Sequence, residues 1–231
     1  MTTTRRELLE LLAASTGATI LAPIAVGCGS ASSGSSGATS SQTGGGETAS
    51  SDPMAVPSTR PEGWDPIAFN RDRGNAGAIP ESYRDEINGP DGAMMHLGKH
   101  LPYIPTIANG TVPAGMIALM WGDPSLGHAK HPNALPNEAA PDGHWYDWIR
   151  IRKATTEDAV ETTSTYGRWP VVLETDNGAI GAQEGTDPTA DQGKNTVYLA
   201  QLPEGLVPGD VVRIHANCLT HGEYVDFLTI P

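Results

Sequence analysis

From Val56 onward the chain is written in short apolar stretches broken by turn residues. Met116–Trp121 is a continuous apolar run that stops at Gly122-Asp123-Pro124. Trp148–Arg152 alternates, with Ile149 and Ile151 on one face and Arg150 and Arg152 on the other, the period of a half-buried strand. Pro170–Glu174, Thr196–Ala200, Val211–His215 and the longer Tyr224–Ile230 have the short length and the β-branched and aromatic content of strands. Asp142-Gly143, Asn177-Gly178 and Pro208-Gly209 supply turn chemistry between them. No ten-residue run with helical period follows Asp65, although Glu81–Ile87 has room for about two helical turns. Six or seven short strands in about 165 residues predict an all-β domain, a β-sandwich of immunoglobulin-like type.

The first sixty residues follow a different pattern. Arg5-Arg6 precedes a weakly apolar stretch from about Leu11 to Val26, too short and too rich in small residues to span a bilayer with confidence. The stretch ends at Ala25-Val26-Gly27-Cys28. Twin arginine, apolar run, small residues and cysteine, in that order, resemble a twin-arginine (Tat) export signal closed by a lipobox. Residues 1–28 are thus expected to be a signal peptide, with Cys28 the acylated residue. Export would leave the protein anchored to the membrane and facing the periplasm or the cell exterior. From Gly29 to Asp52 the chain is nearly all Gly, Ser, Thr and Ala, with nothing large to bury. Such a segment cannot repay the entropy of ordering. Residues 29–60 are expected to be a flexible tether and residues 61–231 the folded domain.

Composition narrows the partners. The chain has 27 acidic against 14 basic residues, a formal net charge of −13. That balance opposes nucleic acid, whose recognition needs basic patches. Membrane contact is assigned to the lipid on Cys28 alone. A homo-oligomer is left open.

Candidate chemistry gathers around Cys218-Leu219-Thr220-His221-Gly222. With Cys28 set aside, Cys218 has no cysteine to pair with, and a thiolate three residues before a histidine is a plausible metal-ligand pair. Two upstream segments concentrate histidines: Lys99-His100-Leu101-Pro102-Tyr103-Ile104, and His131-Pro132 followed by a loop and His144-Trp145-Tyr146-Asp147-Trp148-Ile149. The chain holds seven histidines, so His96, His128 and His215 need separate readings. His128 competes with His131. His96 is placed at the surface or beside the ligands. His215 is read as a packed polar residue within a strand. Trp145, Tyr146 and Trp148 are read as core and rim packing.

The order of these blocks resembles the iron-binding domain of the superoxide reductases, the desulfoferrodoxin and neelaredoxin family, over roughly Met95 to Ile230. That family carries Lys-His-x-Pro-x-Ile, then His-Pro, then a histidine before Trp-Ile, then Cys-x-x-His-Gly. The resemblance implies a mononuclear iron cofactor, cycling between Fe2+ and Fe3+, with His100, His131, His144 and His221 as four imidazole ligands and Cys218 as the axial thiolate. It implies an oxidoreductase that reduces superoxide to hydrogen peroxide, with Lys99 attracting the anion and aiding proton delivery. It further implies an external electron-donor protein, rubredoxin-like or other. The four extra cysteines of a rubredoxin-like second domain are absent from the sequence, which makes this the single-iron type.

Departures from the pattern locate the open questions. Gly98 stands where many members of the family have a glutamate able to occupy the sixth iron position; Glu138 is the substitute within reach by sequence. Twelve residues separate His131 from His144, a longer loop than usual, and Glu223 displaces the aromatic after His-Gly to Tyr224. The rival readings are a non-catalytic iron- or copper-binding electron-transfer module on the same sandwich, and a structural zinc site. Type 1 copper wants a weak axial Met, yet every methionine precedes Cys218. Zinc prefers four closed ligands.

Overall fold

In a computed structural model, residues 52–107, 112–183 and 186–231 are described. The expected signal peptide with Cys28, and residues 29–51 of the expected tether, lie outside the described residues.

Eight strands form two four-stranded antiparallel sheets. They are β1 (Pro102–Tyr103), β2 (Met116–Trp121), β3 (Tyr146–Lys153), β4 (Glu161–Thr165), β5 (Ala179–Ala182), β6 (Thr196–Gln201), β7 (Val211–Cys218) and β8 (Gly222–Thr229). One sheet runs β1-β2-β6-β5 and the other β4-β3-β7-β8. This is a mostly β architecture consistent with a β-sandwich. The core draws Ile117, Leu119 and Trp121 from β2 and Tyr198 and Ala200 from β6, against Ile149 and Ile151 from β3 and Val212, Ile214, Ala216 and Cys218 from β7.

Strand parity decides which chemistry faces inward. Along β7 alternate residues are buried, so Cys218 shares the core face with Val212, Ile214 and Ala216, while Arg213, His215 and Asn217 face out. On β3 the expected alternation holds: Ile149 and Ile151 are buried and Arg150 faces out. The register against β7 shifts between Tyr146 and Trp148. That bulge, at Asp147, turns Tyr146 into the core beside the site.

Three expectations need correction. Pro170–Glu174 is not a strand; Val171, Val172 and Leu173 are exposed at 51, 43 and 39 % and carry no ladder. Strands β4 and β5 were not expected, because Glu161-Thr-Thr-Ser-Thr165 and Ala179-Ile-Gly-Ala182 carry almost no large apolar residue. They are edge strands recruited by their neighbours. Helix α1 (Pro66–Arg73) was also not expected. It is short, but its start is encoded locally: Asp65 Oδ1 accepts hydrogen bonds from the Ile67 and Ala68 amides, and Pro66 occupies the first turn. The two turns expected over Glu81–Ile87 appear as a 3-10 turn, Glu81–Tyr83, running into helix α2 (Arg84–Asn88).

These helical segments matter because they cover the edge of β8. Asn70, fully buried on α1, donates to the Val225 carbonyl at 2.7 Å and accepts from the Val225 amide at 2.8 Å. A side-chain amide thereby satisfies two edge-strand groups that a buried sheet edge would leave unpaired, each worth about 1 kcal/mol. Trp64 donates to Asp226 at 2.7 Å, and Arg213 donates to the Pro57 carbonyl at 3.3 Å. Packing onto the sheet thus reaches upstream to Pro57. Among the described residues no helix is long and apolar enough to cross a membrane.

Candidate metal centre

Four local devices bring distant residues to one point. The first is the turn between β7 and β8. Cys218 pairs with Gly222 across a three-residue loop, and Gly222 takes φ +81°. A left-handed residue closes such a loop, and only glycine does so cheaply. A Cβ on Gly222 would also come within 2.3 Å of the Ala78 carbonyl. The Gly222 of the Cys-x-x-His-Gly block is therefore required twice over, by its own φ and by the helical cover.

The second device closes the long loop after His131. Ala134 and His144 exchange backbone hydrogen bonds at 2.9 and 2.8 Å. The extra length leaves as a side excursion, and His144 returns beside His131. The third ties this segment to the Cys218 turn: Thr220 donates to the Gly143 carbonyl at 2.7 Å, and the Leu219 amide donates to the Trp145 carbonyl at 3.0 Å. The fourth is the 3-10 turn Gly98–His100, in which His100 Nδ1 donates to the His96 carbonyl at 2.6 Å.

The result is a cluster of His100, His131, His144, Cys218 and His221, whose ligand atoms all lie within 4.8 Å of one another. His100 Nε2 and His144 Nε2 each stand 3.0 Å from His221 Nδ1, and Cys218 Sγ stands 3.9 Å from it. All are buried except His221, which is partly covered. Every residue named from sequence as a metal ligand is in the cluster.

The electrostatics point to a cation as the missing partner. Burial, reinforced by mutual repulsion, holds His100 and His131 well below the usual histidine range, and holds His144 at about 4 and His221 at about 2. All four rings are therefore neutral at pH 7, with lone pairs to give. Because His100 Nδ1 carries the proton toward the His96 carbonyl, its Nε2 presents a bare lone pair to the cluster. Both ring nitrogens of His131 are buried with no hydrogen-bond partner. Leaving such groups unpaired costs about 1–3 kcal/mol each. Burial pushes the Cys218 thiol up to about 12, against the backbone amides of His221 and Thr220, which favour the thiolate. A thiolate at neutral pH then needs a positive charge beside it. Bare lone pairs, orphaned nitrogens and a buried thiol around one point fit a metal ion.

Aromatic rings hold the ligands in place. Tyr224 stacks on His100 at 4.3 Å and 8°, and Tyr83 stacks on His221 at 3.9 Å and 24°. Tyr146 packs against His131 at 4.8 Å and donates to the His100 carbonyl at 3.4 Å. Trp145 is core, as expected, while Trp148 lies on the outer face between His215 and Arg150. Lys99, half-buried, sits with Nζ 5.3 Å from the centre of the Tyr83 ring. Its charge helps depress the pKa of each clustered histidine.

The other histidines separate cleanly. His96 is a neighbour of the ligands: its carbonyl takes the His100 proton and its Nδ1 meets the Tyr83 hydroxyl at 2.9 Å. His215 pairs with Glu223 at 2.7 Å on the outer face. His128 is not in the cluster. Its ring fills the space beside Gly98, where a Cβ would come within 2.5 Å of His128 Cδ2. No larger residue fits at Gly98 without displacing that ring. Glu138, the substitute carboxylate considered from sequence, is exposed on the loop excursion and outside the cluster.

Sequence reasoning missed Tyr83. It is more than a hundred positions from His221, and no spacing links the two. Tyr224 was visible only as a displaced aromatic. Comparison with protein-family models, with curated proteins and with solved structures returns no match to this chain.

Proposed function

We propose that this chain is a single-iron superoxide reductase on an immunoglobulin-like sandwich, exported and held at the membrane by a lipid on Cys28. The observation that carries the reading is the convergence of four neutral imidazole nitrogens and one buried cysteine sulfur within 4.8 Å. His100, His131, His144, His221 and Cys218 would hold the iron. Four imidazoles would suit a ferrous ion, and a thiolate ligand would raise the electron density at the metal.

Superoxide takes up one electron and two protons to become hydrogen peroxide, so the protein must attract an anion, supply protons and admit an electron. Lys99 is adjacent to His100 in the chain, and its charge acts on all four clustered histidines. Its field opposes the repulsion that a net charge of −13 exerts on superoxide. The Lys99 ammonium also carries protons within reach of the site. Tyr83 and Tyr224 fix the planes of His221 and His100 and exclude water from two sides. The N–H groups of Thr220 and His221 steady the charge on Cys218 sulfur. The electron comes from a separate donor protein.

The copper alternative is weaker, because a type 1 site uses two imidazoles, one thiolate and a distant methionine, whereas four imidazoles converge here. The decisive measurement is metal content with the visible spectrum of the oxidised protein. One iron per chain, a sulfur-to-iron charge-transfer band, and rapid loss of superoxide generated by pulse radiolysis are expected. Copper alone with a blue spectrum would overturn the reading. For the anchor, Cys28→Ala should move the protein from the membrane fraction to the soluble fraction; retention would refute it.

A further inference from the structure

The strands run between two unlike ends. At the metal, Cys218 closes β7 and Gly222 opens β8, and the Trp121 carbonyl at the end of β2 accepts from the His131 amide. At the other end Met116 of β2 lies opposite Gln201 of β6, and Val211 of β7 opposite Thr229 of β8. The eight residues of β7 put roughly 25 Å between the two ends. A groove of about 350 Å³ opens at this second end, lined among others by Ile104, Ile107, Val112, Met116, Leu202 and Ile230. No charged, hydroxyl or amide side chain lines it. Pockets for small molecules usually carry a few placed polar groups that fix the ligand's orientation. A wall with none selects a wholly apolar guest, such as an acyl chain.

The turns around the groove extend its apolar surface. Val160, just before β4, is exposed at 75 %, and Val207, just before β7, at 57 %. The charges at this end are mostly acidic. Lys153 is paired with Asp210 at 2.7 Å, while Glu157, Asp158 and Glu204 are exposed on the same turns. That sign opposes anionic lipid and leaves a zwitterionic head group as the compatible one. The chain also joins the domain in this half of the molecule: Arg213, two residues past Val211, donates to the Pro57 carbonyl at 3.3 Å. Residues 29–51 separate the described domain from Cys28, and a Gly/Ser-rich sequence of that length spans roughly 25–30 Å. A lipid on Cys28 would hold the groove end closer to the bilayer than the metal end.

We infer that this groove takes an acyl chain of a zwitterionic bilayer lipid, seating the domain on the membrane by the end opposite the metal. The metal centre then faces solvent. The inference rests on the lipid proposed for Cys28 and is independent of the reaction at the metal. One apolar contact of this size binds a membrane only weakly and reversibly. On an anchored chain the same contact becomes intramolecular, and a weak contact suffices. Loss of Cys28 therefore still frees the protein.

The test uses the full-length, iron-loaded protein in phosphatidylcholine vesicles. With Cys218 on the metal and Cys28 acylated, a thiol introduced by Val207→Cys or Val172→Cys alone takes a fluorophore. Val172, exposed on the loop that leaves the metal end of β4, is the control position. Nitroxide on the lipid chains should quench the label at Val207 at least about threefold more than the label at Val172. Ile107→Glu places a charge in the groove and should abolish that difference, whereas Ile107→Leu should keep it; the sulfur-to-iron band should be unchanged in both. In a second arm, short-chain phosphatidylcholine below its micelle concentration is titrated calorimetrically into the unanchored Cys28→Ala protein. It should bind saturably, and at least about tenfold more weakly to the Cys28→Ala/Ile107→Glu protein; short-chain phosphatidylglycerol should bind more weakly than phosphatidylcholine. Equal quenching at the two positions, a difference that survives Ile107→Glu, no saturable binding of the short-chain lipid, or equal binding of the two lipids would each overturn the inference. A dimer in analytical ultracentrifugation that Ile107→Glu disperses would make a second copy the occupant. Short-chain binding that is blocked in the acylated protein before any vesicle is added would make the Cys28 lipid the occupant. Either result overturns the inference too. Binding that depends on Ile107, in a protein shown by mass spectrometry to carry no lipid on Cys28, would uphold the groove and refute the anchor.

Discussion

The ring of Tyr83 lies on the ring of His221, their centroids 3.9 Å apart and their planes 24° from parallel. The Tyr83 hydroxyl meets His96 Nδ1 at 2.9 Å, and the His96 carbonyl takes the proton of His100 Nδ1. One tyrosine in the helical cover thus steadies two ligands, one by stacking and the other through a shared neighbour. Partners of this kind typically contribute about 10–100-fold to metal affinity. Tyr83→Phe keeps the stack and loses only the hydroxyl, so iron affinity should fall by less than about fivefold. Tyr83→Ala removes both and should cost at least about tenfold. Competition with a chelator, read from the visible spectrum, measures each. Equal affinity for the Ala variant and the parent would remove the positioning role.

Cys218 is fully buried and donates its sulfur from the core face of β7. Cys218→Ser keeps the volume nearly constant but replaces a soft ligand with a poor one. The variant should fold, bind the metal more weakly and lack the sulfur-to-metal band. Its reaction with superoxide should fall by at least about a hundredfold. Circular dichroism checks the fold and pulse radiolysis the rate. Unchanged reactivity would exclude a role for the Cys218 sulfur in the reaction.

Acid should destabilise the metal-free protein. His144 is held at about 4 and His221 at about 2, chiefly by burial, while a histidine in an unfolded chain takes its proton near pH 6.5. Below that pH the unfolded chain binds protons that the folded chain refuses, so stability falls as pH drops from about 6.5 toward 4. His100 and His131, held lower still than 6.5 by the same burial, act in the same direction. The same protons compete with the metal, so affinity falls alongside. Thermal melts of chelator-treated protein between pH 8 and pH 4 follow the effect; a midpoint that does not move across that range would contradict it.

Asp226 acts in the opposite direction. Burial raises its carboxyl to about 6, although the Trp64 indole and the Phe227 amide both donate to Oδ1 at 2.7 Å. The folded chain therefore carries a penalty above pH 6 that is relieved as pH falls from about 6 toward 3.8. Asp226→Asn keeps the Oδ1 acceptor and removes the charge. At pH 8 it should raise stability by about 1 kcal/mol, with the gain fading as pH falls through about 6 and gone near pH 3.8. Urea denaturation at the two pH values measures it; a destabilised variant at pH 8 would show that the charge is needed, for example by Arg60.

The five clustered residues were legible in the sequence, because each sits in a short block whose local geometry its own residues impose. Gly222 follows His221 because the turn needs a left-handed residue there. The parity of Val212, Ile214 and Ala216 carries Cys218 to the core face. The apolar runs located β2, β3, β6, β7 and β8, since burial on a pleated strand leaves a period-two trace. Tertiary structure alone decided the rest. The edge strands β4 and β5 have too few apolar residues to leave a trace and exist only because β3 and β6 offer unpaired backbone. Tyr83 reaches His221 only because α1 and its neighbouring turns fold over the edge of β8, a contact between segments far apart in the chain. A cleft beside the cluster is invisible for the same reason: Lys99, Lys130 and Lys194, which line it, belong to three separate segments that only the closed fold brings together.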